Sequence, residues 1–511
     1  LSYSPGNKLI NSSFYGEASA AYNQTFNQHE VSGMLVLIAR NALTANAPEL
    51  TASLPKRNLG VSGRFTYAFD NRYLAEFNFG YNGSEKFDKG HRWGFFPSIG
   101  LGWQVSNEPF WGTVANVISK LKLKGTYGMV GNDQMGAERF FYLSRVNIGG
   151  GYGYSTGYDF NGRNRSGVSI GNYANPRIGW ETCYKTNLGM ELGLFEGKID
   201  IQSDFFHELR TNILQTRADI PVEMGLWTTP QANVGEAKGH GVDASLDYNQ
   251  MFNNWWFIGR ATFTYARSVF EYYEEPDFSA LPWRSRIGRP LSQQWGYVAE
   301  RLFIDEIEVQ KSPRQDFGEY SAGDIKYKDI NDDGVINELD MVPIGYPTVP
   351  EINYGFGLSA GYKDWDASFF FQGSGRSSFW IDASAMTPFI RSGQKETGLA
   401  QFIAEDFWSE TSQNPFSGWP RLSNYQIENN LQRNTMFMQD GSFLRLKSVE
   451  LGYSLPESLI NPINLRGARF YLSGTNLLLF SKFKLWDVEM GGNGLGYPLQ
   501  RVFNLGLHVS F

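Results

Sequence analysis

Apolar and polar residues alternate along this sequence over runs that are long for a β-strand. At residues 61–69 the odd positions carry Val, Gly, Phe, Tyr and Phe, and Ser, Arg and Thr stand between them. The same alternation occurs at 73–82, 98–105, 242–249, 352–361 and 503–511. A period of two is typical of β-strands, because successive side chains point to opposite faces. Runs of about 10–13 residues exceed the usual soluble strand of about 5–6 residues and suit a tilted strand that crosses a bilayer.

The composition is compatible with a membrane protein that has no membrane helices. Aromatic residues make up 16% of the 511 residues, glycine accounts for 56 of them, and charged residues make up 19%. The longest apolar run is residues 34–39, far short of the ~18 residues that a membrane-spanning helix needs. We therefore expect an all-β fold, a transmembrane antiparallel β-barrel, with rings facing lipid and Gly, Ser and Asn facing the lumen.

Short and long connections between these runs also alternate. Short links are predicted at 70–71, 196–197, 253–254 and 363–364, and long polar loops at 40–56, 132–179, 210–238, 269–350, 374–436 and 481–498. Outer-membrane barrels have short periplasmic turns and long extracellular loops. We therefore expect about 15 strands between Ser12 and Phe511, with the long loops outside the cell and the C-terminus in the periplasm. Because bacterial single-chain barrels usually have an even number of strands, we expect this chain to be part of a larger barrel.

Charge, cysteine and histidine content argue against several other functions. The net charge of −7 does not favour a nucleic-acid partner. The single cysteine, Cys183, cannot form an internal disulfide, and the five histidines show no metal-ligand spacing. The carboxylate pairs at 274–275 and 332–333 are adjacent in sequence, so on a strand their side chains would point apart. We therefore predict that the protein is not an enzyme.

One acidic motif, within the predicted loop segment 305–350, matches a calcium-binding loop. Oxygen-bearing residues stand at loop positions 1, 3, 5 and 12, and Gly334 stands at position 6, where the chain turns sharply. The expected Ca²⁺ ligands are Asp329, Asn331, Asp333, Val335 (through its backbone carbonyl) and Asp340. Position 12 usually carries a bidentate Glu, so the shorter Asp340 leaves the affinity open. The alternative is a hydrated acidic turn that holds no metal.

Four tryptophans in the long loops are candidates for stacking on sugar rings: Trp227, Trp283, Trp380 and Trp419. The alternative for each of them is packing within the loops or a place in a membrane girdle. No substrate-binding residue is assigned beyond these candidates.

Several stretches together resemble the SusC-like family of TonB-dependent outer-membrane transporters of the Bacteroidetes. They lie at 70–84 with 94–103, at 323–329 running into the acidic motif and on to 344–347, at 407–408 with 419–423, at 440–456 and at 468–476. The similarity runs from about residue 57 to the C-terminus, and 323–347 and 440–456 are its most specific parts. The final strand ends on Phe511, which resembles the terminal signal of outer-membrane barrels.

The resemblance implies a barrel of about 22 strands closed by an N-terminal plug. Residues 1–511 would then be the C-terminal barrel portion, without the plug. It implies active import of an oligosaccharide, or otherwise an oligopeptide, under a SusD-like surface lipoprotein that acts as a lid. Energy would come from TonB–ExbB–ExbD through the plug, and the barrel would contact the lipid bilayer and lipopolysaccharide.

Two other functions remain as alternatives at this point. A passive porin or structural barrel would show flux that needs no energy. A soluble glycan-binding propeller would show repeats of about 40–50 residues, and the sequence shows no such repeat. If the importer hypothesis holds, Ca²⁺ would order an extracellular loop used for lid docking or for enclosing the ligand.

Overall fold

The computed structural model describes residues 10–47, 50–136, 139–156, 164–392, 395–460, 462, 465–492 and 494–511. Within them fifteen long strands form a single sheet, and strands that follow one another in the chain are neighbours in the sheet. The pairing is antiparallel, for example between the first two strands and between the last two. The predicted all-β class and the expected strand count are confirmed. No helix in the described residues is both long and apolar enough to cross a membrane.

The strands of the sheet are numbered in chain order. They are β1 (Ile10–Phe26), β2 (His29–Ala45), β3 (Lys56–Phe69), β4 (Tyr73–Ser84), β5 (Trp93–Gln104), β6 (Ile118–Asn132), β7 (Glu181–Leu194), β8 (Ile199–Thr216), β9 (Gln231–Phe252), β10 (Trp255–Tyr272), β11 (Ile352–Tyr362), β12 (Trp365–Gly375), β13 (Phe443–Ser454), β14 (Gly467–Ser481) and β15 (Val502–Ser510).

The connections carry short elements. The α-helices are Leu50–Ser53, Glu306–Lys311, Ala383–Met386, Gln401–Glu405 and Glu457–Ile460. The paired short strands are Arg145–Ile148 with Val168–Asn172, Tyr154–Ser155 with Asn164–Arg165, Trp295–Gly296 with Val342–Pro343, Ala299–Leu302 with Ile325–Tyr327, Arg314–Gln315 with Val335–Ile336, Ser378–Trp380 with Met438–Asp440, and Arg391–Ser392 with Lys395–Glu396.

The four predicted short links are tight turns, and their residues explain why. Asp70 and Asn71 have φ of 52° and 50°, Asn253 has 48° and Lys363 has 52°. Tight hairpin turns use residues with positive φ, which Asn and Asp tolerate better than most residues. These links are therefore confirmed.

Some predicted loop boundaries are wrong because the strands are longer than the alternation suggested. The segment predicted at 210–238 is reduced to 217–230, since β8 reaches Thr216 and β9 begins at Gln231. Backbone pairing continues there through polar residues that no longer alternate strictly with apolar ones. Parts of the predicted loops, at 48–49, 137–138, 157–163, 393–394 and 493, lie outside the described residues.

The register of β3, β4 and β5 separates an apolar face from a polar one. Phe65 pairs with Phe77, which pairs with Ile99, and all three side chains are exposed. On the other face Arg64 pairs diagonally with Glu76, with 2.7 Å between Nη2 and Oε2. Exposed rings and aliphatic side chains in continuous rows are the surface that a barrel presents to lipid.

The chain divides into two compact units. The first comprises residues 1–197, 202–241 and 268–276, and the second comprises 198–201, 242–267 and 277–511. A small cluster in the first unit packs Phe87, Met135, Phe141 and Ile178 together.

The long connections of the second unit fold together around a hydrophobic core of their own. We call this cluster the loop core; its buried members include Tyr297, Leu302, Ile325, Tyr327, Ile336, Ile381, Ile403, Trp408, Trp419, Phe437, Phe483 and Val488. They come from the segments 277–350, 376–442 and 482–501, which join β10 to β11, β12 to β13 and β14 to β15. These connections are therefore a folded module rather than extended linkers.

The two faces of β14 predict opposite responses to a charge. Leu472 lies between Leu451 and Leu505 on the apolar face, and all three are exposed. We expect Leu472→Arg to destabilise the folded protein by about 2–4 kcal/mol, the cost of a cation near the bilayer midplane. The measurement is the free energy of unfolding of the full-length protein in detergent or lipid.

Ser473 provides the matched control, because it is the next residue and lies on the opposite face beside Glu450. Ser473→Arg should change the free energy of unfolding by less than about 1 kcal/mol. Equal losses for the two variants would contradict the assignment of the faces.

Candidate functional site

An ion pair with a fully buried carboxylate joins two connections of the loop core. The side chain of Asp324 is fully buried, and its Oδ1 lies 2.9 Å from Nε of Arg421. The amide of Asn430 donates to the same oxygen at 2.8 Å. Burial raises the pKa of Asp324, and Arg421 and the hydrogen bonds oppose that shift. The pair links residue 324 of one connection to residues 421 and 430 of another.

Buried amide side chains extend this link along the short strand Ile325–Tyr327. Gln315 donates from Nε2 to the carbonyl of Ile325 at 2.9 Å and to Oδ1 of Asn429 at 2.7 Å. Its Oε1 accepts from the backbone N–H of Tyr327 at 2.6 Å. The hydroxyl of Tyr327 donates to the carbonyl of Asn429 at 2.7 Å. The amides of Gln315 and Asn429 and the hydroxyl of Tyr327 each have a partner, and a buried polar group without one would destabilise the fold.

The acidic motif forms a tight turn at the edge of the loop core. Asp329 accepts the backbone N–H groups of Asp332 and Gly334, each at 2.8 Å. Asp333 accepts the N–H of Val335 at 2.8 Å and the amide of Asn331 at 2.9 Å. Asp332 and Gly334 have φ of 58° and 81°, so glycine at 334 suits the left-handed backbone there. The structure thus brings the first three predicted side-chain ligands together in one turn.

Asp340, the predicted ligand at position 12, bonds to the backbone of the motif through both carboxylate oxygens. Its side chain is fully buried, and its two oxygens accept the N–H groups of Ile330 at 2.8 Å and Asn337 at 2.9 Å. The indole of Trp283 donates to the carbonyl of Leu339 at 2.9 Å and so holds this end of the motif. Burial, with a contribution from Asp340, raises the pKa of Tyr297 to about 12.

The donor set suits a hard cation only in part. Carboxylate, amide and carbonyl oxygens are the ligands that Ca²⁺ prefers, and Asp329, Asn331 and Asp333 supply them within five residues. Across the described parts of the chain, however, no three Asp, Glu, His or Cys side chains are grouped closely enough to hold one metal ion. Asp340 is therefore not grouped with Asp329 and Asp333, and the calcium site stays a prediction.

The four candidate tryptophans have different surroundings. Trp419 is buried in the loop core, and the indole of Trp380 donates to Oε1 of Gln294 at 2.7 Å. Trp283 is held by the acidic motif as described above. Trp227 is half exposed, and its ring centroid lies 6.4 Å from that of Tyr152. Of the four, Trp227 is the candidate whose ring remains most available to a ligand.

Sequence reasoning missed two groups of residues. The buried polar cluster around Asp324 and Gln315 joins positions more than 100 residues apart, so no local pattern marks it. Tyr152 carries a weak signal, because it follows three glycines at 149–151 and precedes Gly153 in a loop rich in Tyr and Gly.

A sheet of fifteen long antiparallel strands with an exposed apolar face defines the wall of a transmembrane β-barrel. Residues 2–477 match the family described as TonB dependent receptor-like, beta-barrel. The chain belongs to this family, which consists of outer-membrane receptors and transporters; the predictions of barrel class and of no enzymatic activity are confirmed.

Individual relatives agree with this assignment. A TonB-dependent receptor of Formosa agariphila is 28% identical over 496 residues, which are 90% of this chain and 48% of that protein. The TonB-dependent receptor SusC of Bacteroides thetaiotaomicron is 25% identical over 472 residues, which are 89% of this chain and 44% of SusC. The chain therefore spans about half the length of the curated relatives it matches.

A solved structure has the same fold. The RagAB peptide transporter superposes with a TM-score of 0.73 at 22% sequence identity, over 98% of this chain and 56% of that one. The likeness extends over nearly the whole chain and so includes the segments of the loop core.

The ion pair of Asp324 with Arg421 predicts a local loss of stability when it is broken. Asp324→Ala would leave Arg421 and Asn430 without their carboxylate partner, and removing one member of a buried pair costs about 3–5 kcal/mol. We expect protease cleavage within 376–442 of the purified full-length protein to become at least about tenfold faster.

Asp316→Ala is the matched control, because Asp316 pairs with Arg314 on the surface at 3.8 Å and both side chains are exposed. Exposed pairs contribute at most about 1 kcal/mol, so cleavage should stay near the unmodified rate. If protease cleaved both variants at the same rate, the ion pair of Asp324 with Arg421 would not hold the connections together.

Proposed function

We propose that this chain forms part of the wall of a SusC-like, TonB-dependent importer in the bacterial outer membrane, with the long connections extracellular and the C-terminus in the periplasm. The observation that carries the proposal is the family match over 2–477 together with a strand register that presents one apolar face. In this proposal the chain is the C-terminal barrel portion of a plugged transporter, and the barrel contacts the lipid bilayer and lipopolysaccharide.

The proposed substrate is an oligosaccharide, with an oligopeptide as the second choice. The exposed ring of Trp227 supports the first, because aromatic faces bind the apolar faces of sugar rings. The RagAB transporter, which carries peptides, supports the second through its shared fold alone. Three of the four candidate tryptophans are engaged in loop contacts, so the case for a glycan depends on fewer rings than the sequence suggested.

The proposed partners are a SusD-like surface lipoprotein, which acts as a lid, and TonB–ExbB–ExbD, which act through the plug. The loop core supports the first partner in physical terms. A docking surface built on a packed and hydrogen-bonded module loses little conformational entropy when a partner binds.

We further propose that Ca²⁺ binds the acidic motif through Asp329, Asn331, Asp333, Val335 and Asp340 and stiffens its turn. The convergence of Asp329, Asn331 and Asp333 supports this. For Asp340 to join them, its carboxylate would have to exchange a backbone hydrogen bond for the ion. A bound ion would connect the turn to the segment held by Trp283.

Energy dependence separates an importer from a passive porin. Cells that express the full-length protein should take up its oligosaccharide, and deletion of TonB or collapse of the proton-motive force should abolish uptake while surface binding persists. Uptake measured with radiolabelled substrate at an unchanged rate after either treatment would favour the porin and contradict the proposal.

Metal content tests the calcium site. We expect about one Ca²⁺ per purified full-length chain by elemental analysis, and loss of most of it in the double variant Asp329→Ala, Asp333→Ala, because two of the charged ligands are gone. The same variant should weaken the complex with the lipoprotein.

Glu338→Gln is the control for that experiment, since Glu338 lies in the same motif, is exposed and stands outside the ligand positions. It should retain the ion and the complex. Calcium that is absent from the unmodified protein, or retained in full by the double variant, would contradict the site.

A further inference from the structure

We propose that Tyr152 and Trp227 form an aromatic shelf that binds a neutral oligosaccharide on the first unit. The inference rests on the proposed function, because it supplies a contact site for the substrate of the importer. The two rings come from different connections, 133–180 and 217–230, and their centroids are 6.4 Å apart with an angle of 33° between the planes.

Both rings of the pair are open to solvent. Tyr152 is 95% exposed and Trp227 is 49% exposed. Two large rings that contact each other and still face solvent retain ring surface that the fold itself does not use. Such rings provide a broad, rigid contact area at a low entropic cost, as in antibody binding loops rich in Tyr, Gly, Ser and Asn. Residues 145–173 have that composition.

Glycine is what permits this arrangement. A Cβ on Gly151 would lie 3.2 Å from Cη2 of Trp227 and 2.9 Å from the carbonyl oxygen of Val168, and Gly151 also has a φ of +74°. A Cβ on Gly153 would lie 2.3 Å from the carbonyl oxygen of Arg165. The backbone beside Tyr152 is therefore packed closely against its neighbours, so the ring rather than an open strand edge is available to a ligand.

The connection that carries Trp227 is held at its base, which keeps the ring in place. The backbone N–H of Arg217 donates to the carbonyl of Pro230 at 2.9 Å. Glu274 accepts from Nε of Arg217 at 2.8 Å and from the N–H of Ala218 at 2.9 Å. Burial disfavours the charge on Glu274, but these hydrogen bonds outweigh it and lower its pKa to about 2. The N–H of Trp227 itself donates to the hydroxyl of Tyr173 at 3.3 Å.

Polar side chains lie close to the glycines that precede Tyr152. A Cβ on Gly150 would lie 2.5 Å from Oγ of Ser169 and 3.3 Å from Cβ of Asn147, and Gly150 is the neighbour in sequence of Gly151, which approaches Trp227. A sugar presents apolar C–H faces and a rim of hydroxyls. The faces of Tyr152 and Trp227 match the apolar C–H faces, and Asn147 and Ser169 are the nearby polar side chains in the same connection.

The size of the shelf favours a sugar over a protein partner. Each aromatic side chain can bury about 150–250 Å², so the pair offers roughly 300–500 Å² at most. A stable protein interface buries about 800 Å² on each partner. One or two sugar units are of the appropriate size, and the two rings carry no charge that would select an anionic ligand.

The test is binding to the purified, detergent-solubilised full-length protein by isothermal titration calorimetry, without energy input. The probes are maltoheptaose, xylohexaose, laminarihexaose and a pool of synthetic octapeptides. We expect at least one oligosaccharide to bind. Tyr152→Ala and Trp227→Ala should each weaken that binding about tenfold, which corresponds to the loss of one stacked ring.

Two further variants guard against unfolding and non-specific effects. Tyr152→Phe retains the ring and should restore affinity to within about twofold of the unmodified protein. Tyr497→Ala removes another highly exposed ring, on a connection of the second unit, and should leave affinity unchanged.

Three results would overturn the shelf: no oligosaccharide binds, both alanine variants bind oligosaccharide normally, or they lose affinity for the octapeptides or the lipoprotein instead. A separate result would refute the proposed function: uptake that needs no energy would contradict active import, but oligosaccharide could still bind to the shelf.

Discussion

Backbone amides inside a bilayer have no water to bond to, so every membrane-spanning strand must satisfy them through its neighbours. In this chain each long strand pairs with the next one in sequence, which is the pairing with the lowest loop-closure cost. That order requires a turn at one end of each hairpin, and Asp70 with Asn71 shows how positive φ values provide it. The alternation of side chains then follows, because one face meets lipid and the other does not.

Buried polar groups outside the strands also need hydrogen-bond partners, and there side chains rather than neighbouring strands provide them. The connections of the second unit carry many polar groups away from water, and side-chain amides and the ion pair of Asp324 with Arg421 provide partners for several of them. Gln315 and Asp324 bond to Asn429 and Asn430 of another connection, so packing of the loop core and hydrogen bonding support each other. A surface built on such a module is preformed before any partner or ligand arrives.

The sequence predicted the features that depend on local pattern. The strand count and the short links followed from period two and from residues such as Asn253 that favour tight turns. The sharp turn at Gly334 in the acidic motif also followed, because glycine is the residue that best adopts positive φ. The ends of β8 and β9 did not, since backbone pairing there continues without strict alternation.

The loop core could not be predicted from a single sequence, because contacts such as Gln315 with Asn429 join residues 114 positions apart. Trp419 illustrates the consequence. In the sequence it resembles an exposed ring for a sugar, but in the structure it is buried with Trp408 and Phe437. Trp227, by contrast, is half exposed, and Tyr152, whose ring lies 6.4 Å from it, is itself at the surface.

Hydrogen exchange of the full-length protein in detergent tests most directly whether the connections that form the loop core are a folded module. We expect the amides of Ile325 and Tyr327, which donate to Asn430 and Gln315, to exchange as slowly as amides in the middle of β13 and β14. Exchange of these two amides within seconds, while the strands stay protected, would contradict it.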